Sequence, residues 1–287
     1  FDLAIAVATL SGAGLIDAAS ARGVVHLGEL GLDGRVHPVR GVLPSVAAAV
    51  AGGARRVVVS VADEREARLV PGADVHAVAS LAELAYAYGA DIPEPEARVA
   101  RGVPTPPGPL ESTRDLADVV GQHEARAALE VAAAGAHHLL MVGPPGAGKT
   151  MLAARLPGLL PDLTDDESVE VTAVHSVAGT FDPTRGLIRR PPFEDPHHTA
   201  TAASIVGGGS GVPRPGAASR AHRGVLFMDE APEFATRVLQ TLRQPLENGE
   251  LVIHRVSGAA RYPARFQLVL AANPCPCGLA VGKGTGC

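Results

Sequence analysis

Gly143-Pro144-Pro145-Gly146-Ala147-Gly148-Lys149-Thr150 decides how the rest of the chain is read. It fits the pattern G-x-x-x-x-G-K-[ST], whose glycines let successive backbone N–H groups curl around phosphate oxygens. Lys149 is placed to reach the β- and γ-phosphates of a nucleotide, and the Thr150 hydroxyl to ligate Mg²⁺. Met151 follows directly and is counted with the cradle. The apolar run 136–142 predicts a strand before the loop. Residues 150–159 predict a helix after it, offering its positive N-terminal end to the anion. Strand, loop and helix in this order place the region in the α/β class, with ATP and Mg²⁺ as its expected ligands.

A second motif lies about 80 residues downstream of the first, and its place after such a loop favours a catalytic reading. In Val225-Leu-Phe-Met-Asp229-Glu230, four apolar residues predict a buried strand with two carboxylates at its C-terminal end, where ligands sit in an open parallel sheet. Asp229 is expected to hold Mg²⁺ through water, and Glu230 to act as general base on the attacking water. The alternative is a strand end with two solvated acids. Asn273 ends another apolar run, 266–272. Its amide suits orienting the same water or touching the γ-phosphate, or else starting a turn before Pro274.

Around these motifs the 287 residues divide by composition. Six prolines (Pro93, Pro95, Pro104, Pro106, Pro107, Pro109) crowd one stretch, which cannot continue a helix or a central strand. The boundaries expected are a domain over 1–92, a linker over 93–113 and an ATPase core over 114–287. In the first region, helices are predicted over 3–10, 44–51, 64–69 and 80–88. Strands are predicted over 23–32, 36–39 and 56–61, with a hairpin turn at Asp33-Gly34. In the second, helices are predicted over 122–134 and 232–248, the latter capped by Gly249. A hairpin of strands 251–256 and 265–271 is expected to feed a core strand.

Charge excludes a globally basic nucleic-acid binder. Residues 1–96 carry 7 Lys/Arg against 12 Asp/Glu, and 97–287 carry 18 of each. No apolar run is long enough for a membrane helix, and the Ala-rich start lacks the basic region of a signal peptide. Three cysteines, Cys275, Cys277 and Cys287, fit a reducing compartment, and the expected location is cytoplasmic with no membrane partner. Both ends read as cut, so a fragment is expected.

The second region resembles the magnesium-chelatase-like AAA+ family, in its ComM/YifB branch. The resemblance is carried by the two motifs above, by 190–199 (Arg-Pro-Pro-Phe-Glu-Asp-Pro-His-His-Thr), by Gly207-Gly208-Gly209, by 215–224, by 242–249, by 262–269 and above all by Asn273-Pro-Cys-Pro-Cys-Gly278. It implies that Gly121 and Gln122, in Val120-Gly121-Gln122, border the adenine pocket, and that Asn273 is the sensor-1 residue. Residues 27–41 (Leu-Gly-Glu-Leu-Gly-Leu-Asp-Gly-Arg-Val-His-Pro-Val-Arg-Gly) resemble part of a Lon-protease-like domain of ribosomal S5 domain 2-like fold, which the ComM/YifB branch carries ahead of its ATPase. The fold class implied is α/β throughout: a partial Lon-protease-like domain, then a P-loop AAA+ α/β/α sandwich without its helical lid. The lysine of a Lon-type Ser–Lys dyad would fall near Leu43. No lysine occurs in residues 1–96, so no peptidase activity is expected. The family's sensor 2 and arginine finger would lie beyond Cys287, which implies weak hydrolysis by this chain alone.

The resemblance implies an ATP-driven, ring-shaped homo-oligomer, a hexamer, that migrates DNA branches in bacterial recombination and natural transformation. Two alternatives stand beside it: an ATPase that remodels a metal-inserting partner, and a nucleotide-dependent scaffold that does not hydrolyse. Three weaker signals remain open. Residues 185–223 hold six arginines against two acids, which suits either a DNA-binding insertion or a solvated or intersubunit face. Cys275-x-Cys277 with Cys287 could begin a Zn²⁺ site, although four ligands are usual. His197-His198 is read as hydrogen-bonded rather than metal-binding, because neighbours on an extended chain point to opposite faces.

Overall fold

The computed structural model describes residues 1–95, 114–209, 213–255 and 258–275. The chain divides into two compact units, Phe1–Gly108 with Gly179–Leu187, and Pro109–Ala178 with Ile188–Cys287.

The first unit is built on the parallel sheet β1 (Val24–His26), β4 (Arg56–Ser60) and β5 (Asp74–Val78), in that order. Its fully buried Val57 and Val59 explain why β4 reads as a continuous β-branched run. Helix α1 (Asp2–Gly12) buries Leu3 and Val7 against the sheet, and α2 (Ala18–Ala21) starts on the Asp17 side chain. The antiparallel hairpin of β2 (Glu29–Leu30) and β3 (Val36–His37) turns at Asp33-Gly34. Helices α3 (Val42–Ala51), α4 (Glu64–Ala67) and α5 (Leu81–Ala87) complete the unit. Two expectations change. The single strand over 23–32 is two, β1 in the parallel sheet and β2 in the hairpin. Strand β5, which carries polar Asp74 and His76 on one face, was not anticipated.

The second unit is a four-stranded, wholly parallel sheet. Its strands are β6 (Leu139–Val142), β7 (Phe193–Glu194), β10 (Val225–Met228) and β13 (Gln267–Ala272), in the spatial order β6-β13-β10-β7. Both faces are covered, so the strand side chains alternate between two cores. Val225, Phe227, Val269 and Ala271 pack with Leu129 of α6 (His123–Gly135) and Leu152 of α7 (Lys149–Ala153). Leu226, Met228 and Leu268 pack on the other side. Their neighbours are Ile205 of α9 (Ala202–Val206), Ala217 of α10 (Ala217–Arg220) and Val238 of α11 (Thr236–Thr241). Gly224 lets β10 enter beside β7, since a Cβ there would stand 2.1 Å from the Pro192 carbonyl oxygen. Between β6 and β10 lie α8 (Asp165–Ala178) and the short antiparallel pair β8 (Gly207–Gly208) and β9 (Arg214–Pro215).

Local chemistry explains the remaining differences. The helix expected over 150–159 ends at Ala153 and resumes as a 3-10 turn over Leu156–Leu159, which contains Pro157. The helix expected over 232–248 breaks at Leu242 into α11 and α12 (Arg243–Asn248), because Pro245 lacks the N–H a continuous helix needs. Gly249 caps α12 in the left-handed region. The hairpin pairs β11 (Glu250–Arg255) with β12 (Gly258–Pro263), and the core strand β13 follows as a separate element. No helix among the described residues is long and apolar enough to cross a membrane.

Candidate nucleotide site

The carboxyl ends of the four parallel strands of the second unit lie side by side, and the motifs read from sequence stand on three of them. The 143–150 loop leaves β6, Asn273 leaves β13, and Asp229-Glu230 leave β10. Gly146 and Gly148 have φ of +77° and +85°, a backbone region open to glycine at little steric cost. The loop can therefore turn its amides inward and start α7 within a few residues. Gln122, itself left-handed at φ +53°, donates its Nε2–H to the Ala147 carbonyl at 3.0 Å and ties the segment before α6 to the loop. Gly121 precedes it at φ +72°. Met151 stands one residue beyond the loop in α7, where its Cε would lie 3.2 Å from a Cβ added at Gly148.

Polar side chains bridge the strand ends. Lys149 Nζ donates to the carbonyls of Gly143 at 2.8 Å and Pro144 at 3.0 Å, and to Asn273 Oδ1 at 3.0 Å. Thr150 Oγ1 donates to Asp229 Oδ2 at 2.6 Å. The other carboxylate oxygen of Asp229 accepts the Glu230 N–H at 2.9 Å. Glu230 sits at φ +52°, unusual for a residue with a Cβ. A hydroxyl and a carboxylate in contact are hard oxygen donors of the kind Mg²⁺ prefers, and a lysine beside inward-turned amides suits a polyphosphate. The residues thus fit a magnesium–nucleotide complex.

Sequence reasoning missed the fourth strand end. The chain leaves β7 at Glu194 and turns at His198, whose Nδ1 lies 3.2 Å from Glu230 Oε2. The rings of His197 and His198 are 4.1 Å apart and tilted by 34°. The opposite-faces argument therefore fails: it assumed an extended chain, and residues 198–199 form a turn. The His-His pair was the available signal, but nothing in its spacing pointed to Glu230.

The arginine-rich window also looks different in three dimensions. Arg220 grips Glu194 through two bonds of 2.9 and 2.7 Å. Arg223 reaches Glu167 at 2.9 Å and Glu170 at 3.2 Å on α8. Arg189 pairs with Asp165, Arg190 with Asp162 at 3.3 Å, and Arg185 with Asp182 at 3.4 Å. Five of the six acids that neutralise the cluster lie before the window, four of them in 162–170, so a count within the window misses them. His222, buried behind this network, has its pKa lowered, first by burial. The Glu167 carboxyl is held below its usual range, first by the Thr164 backbone N–H and hydroxyl.

Among the described residues no group of three or more His, Cys, Asp or Glu side chains could hold a metal. Cys277 and Cys287 lie outside the described residues, and with them the zinc expectation. In the first unit, Leu43 is fully buried at the start of α3.

Comparison with known proteins adds a lineage. The family described as magnesium chelatase, subunit ChlI, matches residues 115–287, and the one described as subunit ChlI of Mg-chelatase matches residues 1–63. An uncharacterized protein of Mycobacterium tuberculosis is 55% identical over 278 residues, 96% of this chain and 54% of its own length. The competence protein ComM of Haemophilus influenzae is 41% identical over 278 residues, 97% of this chain and 54% of its own. The uncharacterized protein YifB of Escherichia coli is 40% identical over 292 residues, 100% of this chain and 55% of its own. The chain thus spans about half the length of the curated relatives it matches.

Proposed function

The chain belongs to the magnesium-chelatase-like ComM/YifB family, and from that premise we propose that it is the nucleotide-binding motor module of an AAA+ ATPase that acts on DNA. One observation carries the ATPase reading. Thr150 Oγ1 touches Asp229 at 2.6 Å while its neighbour Lys149 touches Asn273 at 3.0 Å, so loop, acid and amide share one crevice.

In this reading the amides of 143–148 and the Lys149 ammonium bind and orient the phosphates. Thr150 and Asp229 hold Mg²⁺, which when bound neutralises charge on the phosphate oxygens. Glu230 takes the proton of the attacking water, and Asn273, bonded to Lys149, orients the same water or touches the γ-phosphate. Gly121 and Gln122 border the base. The subunits form a homo-oligomeric ring, a hexamer, in which neighbours complete each site. The first unit has no peptidase role, since its Leu43 supplies no base.

DNA as the substrate rests on the likeness to a competence protein and not on the arginine cluster, which is largely ion-paired. The second reading, an ATPase that remodels a metal-inserting partner, is favoured by the chelatase family match over 115–287. Replacing Lys149→Ala is expected to weaken nucleotide binding to the chain about a hundredfold or more, because charge-assisted bonds to phosphate are lost. Unchanged affinity in a calorimetric titration removes the cradle. ATP turnover with and without forked DNA, in protein of full family length, separates the two readings: stimulation by DNA keeps the first, indifference to DNA gives way to the second.

A further inference from the structure

We propose that the second unit carries a further binding site, a cavity at the amino ends of β6, β10 and β13 that takes a small amphipathic carboxylate: an apolar body of one or two rings with a single anionic end. The cavity stands at the far end of the strands whose carboxyl ends form the nucleotide crevice, and the inference does not depend on the function proposed above.

The cavity follows from how the chain enters its strands. It approaches β6 at Ala136, β10 at Gly224 and β13 at Arg265, and it leaves α12 at Gly249. Ala136, Gly224 and Gly249 bring no bulky side chain to these turns, and a cavity of about 330 Å³ remains between them. That volume lies at the lower end of the range for small-molecule sites. The floor is set in advance. Gln267, only 6% exposed, donates from Nε2 to the carbonyls of Ala132 at 3.0 Å and His137 at 2.6 Å. This clamps the start of β13 to the end of α6 and the approach to β6, so a ligand would not have to open the space by itself.

The lining sets the class of ligand. Leu160, Leu246 and Phe266 supply apolar walls, and Leu246 is 39% exposed at the rim. No acid lines the cavity, and its two arginines differ. Arg223 is neutralised by Glu167 and Glu170 on α8, whereas Arg265 has no acidic partner among the described residues. Arg265 is also held in place. Its N–H donates to His222 Nδ1 at 3.0 Å, and its carbonyl accepts the Arg223 N–H at 2.6 Å. Its stem lies against Gly249, where a Cβ would stand 2.8 Å from the Arg265 Cγ. His138 adds a second donor: its Nδ1 accepts the Leu268 N–H at 3.0 Å, so the neutral ring carries its proton on Nε2. One planar guanidinium and one ring N–H beside apolar walls match a carboxylate on an apolar body. A phosphate would ask for a nest of converging backbone N–H groups, such as the 143–150 loop offers.

Calorimetric titration of the chain with naphthoate as the probe, and with naphthamide as its uncharged counterpart, tests the inference. Naphthoate is expected to bind saturably and about tenfold more tightly than naphthamide. Arg265→Gln should weaken naphthoate about tenfold while naphthamide stays within about twofold. Leu246→Glu places a negative charge at the exposed rim and should weaken naphthoate at least as much; its melting temperature should match the parent, which keeps the test decisive where Arg265→Gln disturbs the fold. Lys149→Ala should leave naphthoate affinity within about twofold, because the nucleotide crevice is a separate site. No saturable naphthoate binding, equal affinity for the amide, or parental affinity in either folded cavity variant overturns the proposal. Loss of naphthoate binding in Lys149→Ala overturns it too, since the probe then occupies the nucleotide crevice.

Discussion

At the carboxyl ends of β4 and β5 in the first unit, polar side chains turn back onto their own backbone. Ser60 Oγ accepts the Asp63 N–H at 3.2 Å and donates to the Asp63 carboxylate at 2.9 Å, and that carboxylate also accepts the Val39 N–H. Ser80 accepts the Glu83 N–H, and Glu83 in return accepts the Ala79 N–H. Ser60 and Ser80 each start a helical turn and Glu83 closes the second, while the Asp63 carboxylate holds the backbone at Val39. At the corresponding ends of β6, β7, β10 and β13 in the second unit, the side chains reach across strands instead: Lys149 to Asn273, Thr150 to Asp229, His198 to Glu230. Both units are parallel α/β sheets covered by helices. What separates them is whether the tips satisfy local backbone or face one another across a shared crevice, and only the second arrangement leaves groups that an incoming phosphate could redirect.

The comparison is broken most severely by removing the one tip residue whose proposed role is chemical. In protein of full family length, Glu230→Gln is expected to lower turnover about a thousandfold with nucleotide affinity preserved, because the amide keeps the shape and loses the basicity. Normal turnover, measured by phosphate release, takes Glu230 out of that role. A middle effect is expected where a tip strand is anchored. Arg220→Ala leaves the half-buried Glu194 without its two-bonded partner, and should lower the stability of the second unit by about 2 kcal/mol in denaturant titration. Arg220→Lys should recover only part, since an ammonium cannot reproduce the planar fork.

How much was legible in sequence follows from how local each feature is. The loop 143–150, the strand β10 and its two acids are set by neighbours in the chain, and glycine spacing and a four-residue apolar run suffice to read them. The break at Leu242 was equally local, signalled by Pro245, but helical spacing on both sides masked it. Strand β5 was obscured because Asp74 and His76 lie on its more exposed face, while its pairing with β4 lies in tertiary structure. The neutralisation of most of the arginines and the meeting of His198 with Glu230 depend on partners 24 to 56 residues away, Arg185 with Asp182 being the local exception. Of the distant pairs only Arg220–Glu194 falls inside the arginine-rich window, and no short window of sequence contains both members of the others, so periodicity and charge counts are largely blind to them.

The smallest effect sharpens the other side of the comparison. Ser60→Ala removes both the acceptor for the Asp63 N–H and the donor to its carboxylate, at a site where Ser60 is 1% exposed and Asp63 6%. A loss of about 1 kcal/mol is expected in the first unit, with nucleotide affinity in the second unchanged. The pH dependence has a definite sign. Burial raises the Asp63 pKa, while the Val39 N–H and the Ser60 hydroxyl pull it down. Without the hydroxyl the carboxylate is held less well, so the folded pKa rises further. The penalty is therefore full above that raised folded pKa, where the folded protein must keep Asp63 charged. It shrinks as the pH falls toward the ordinary aspartate range near 4, where protonation relieves the folded state. Thermal melts of the parent and Ser60→Ala chains should draw closer in acid, leaving the backbone share of the loss, and separate toward neutrality. A gap that stays constant with pH would mean that Ser60 serves the Asp63 backbone alone, and that the carboxylate draws its support from Val39.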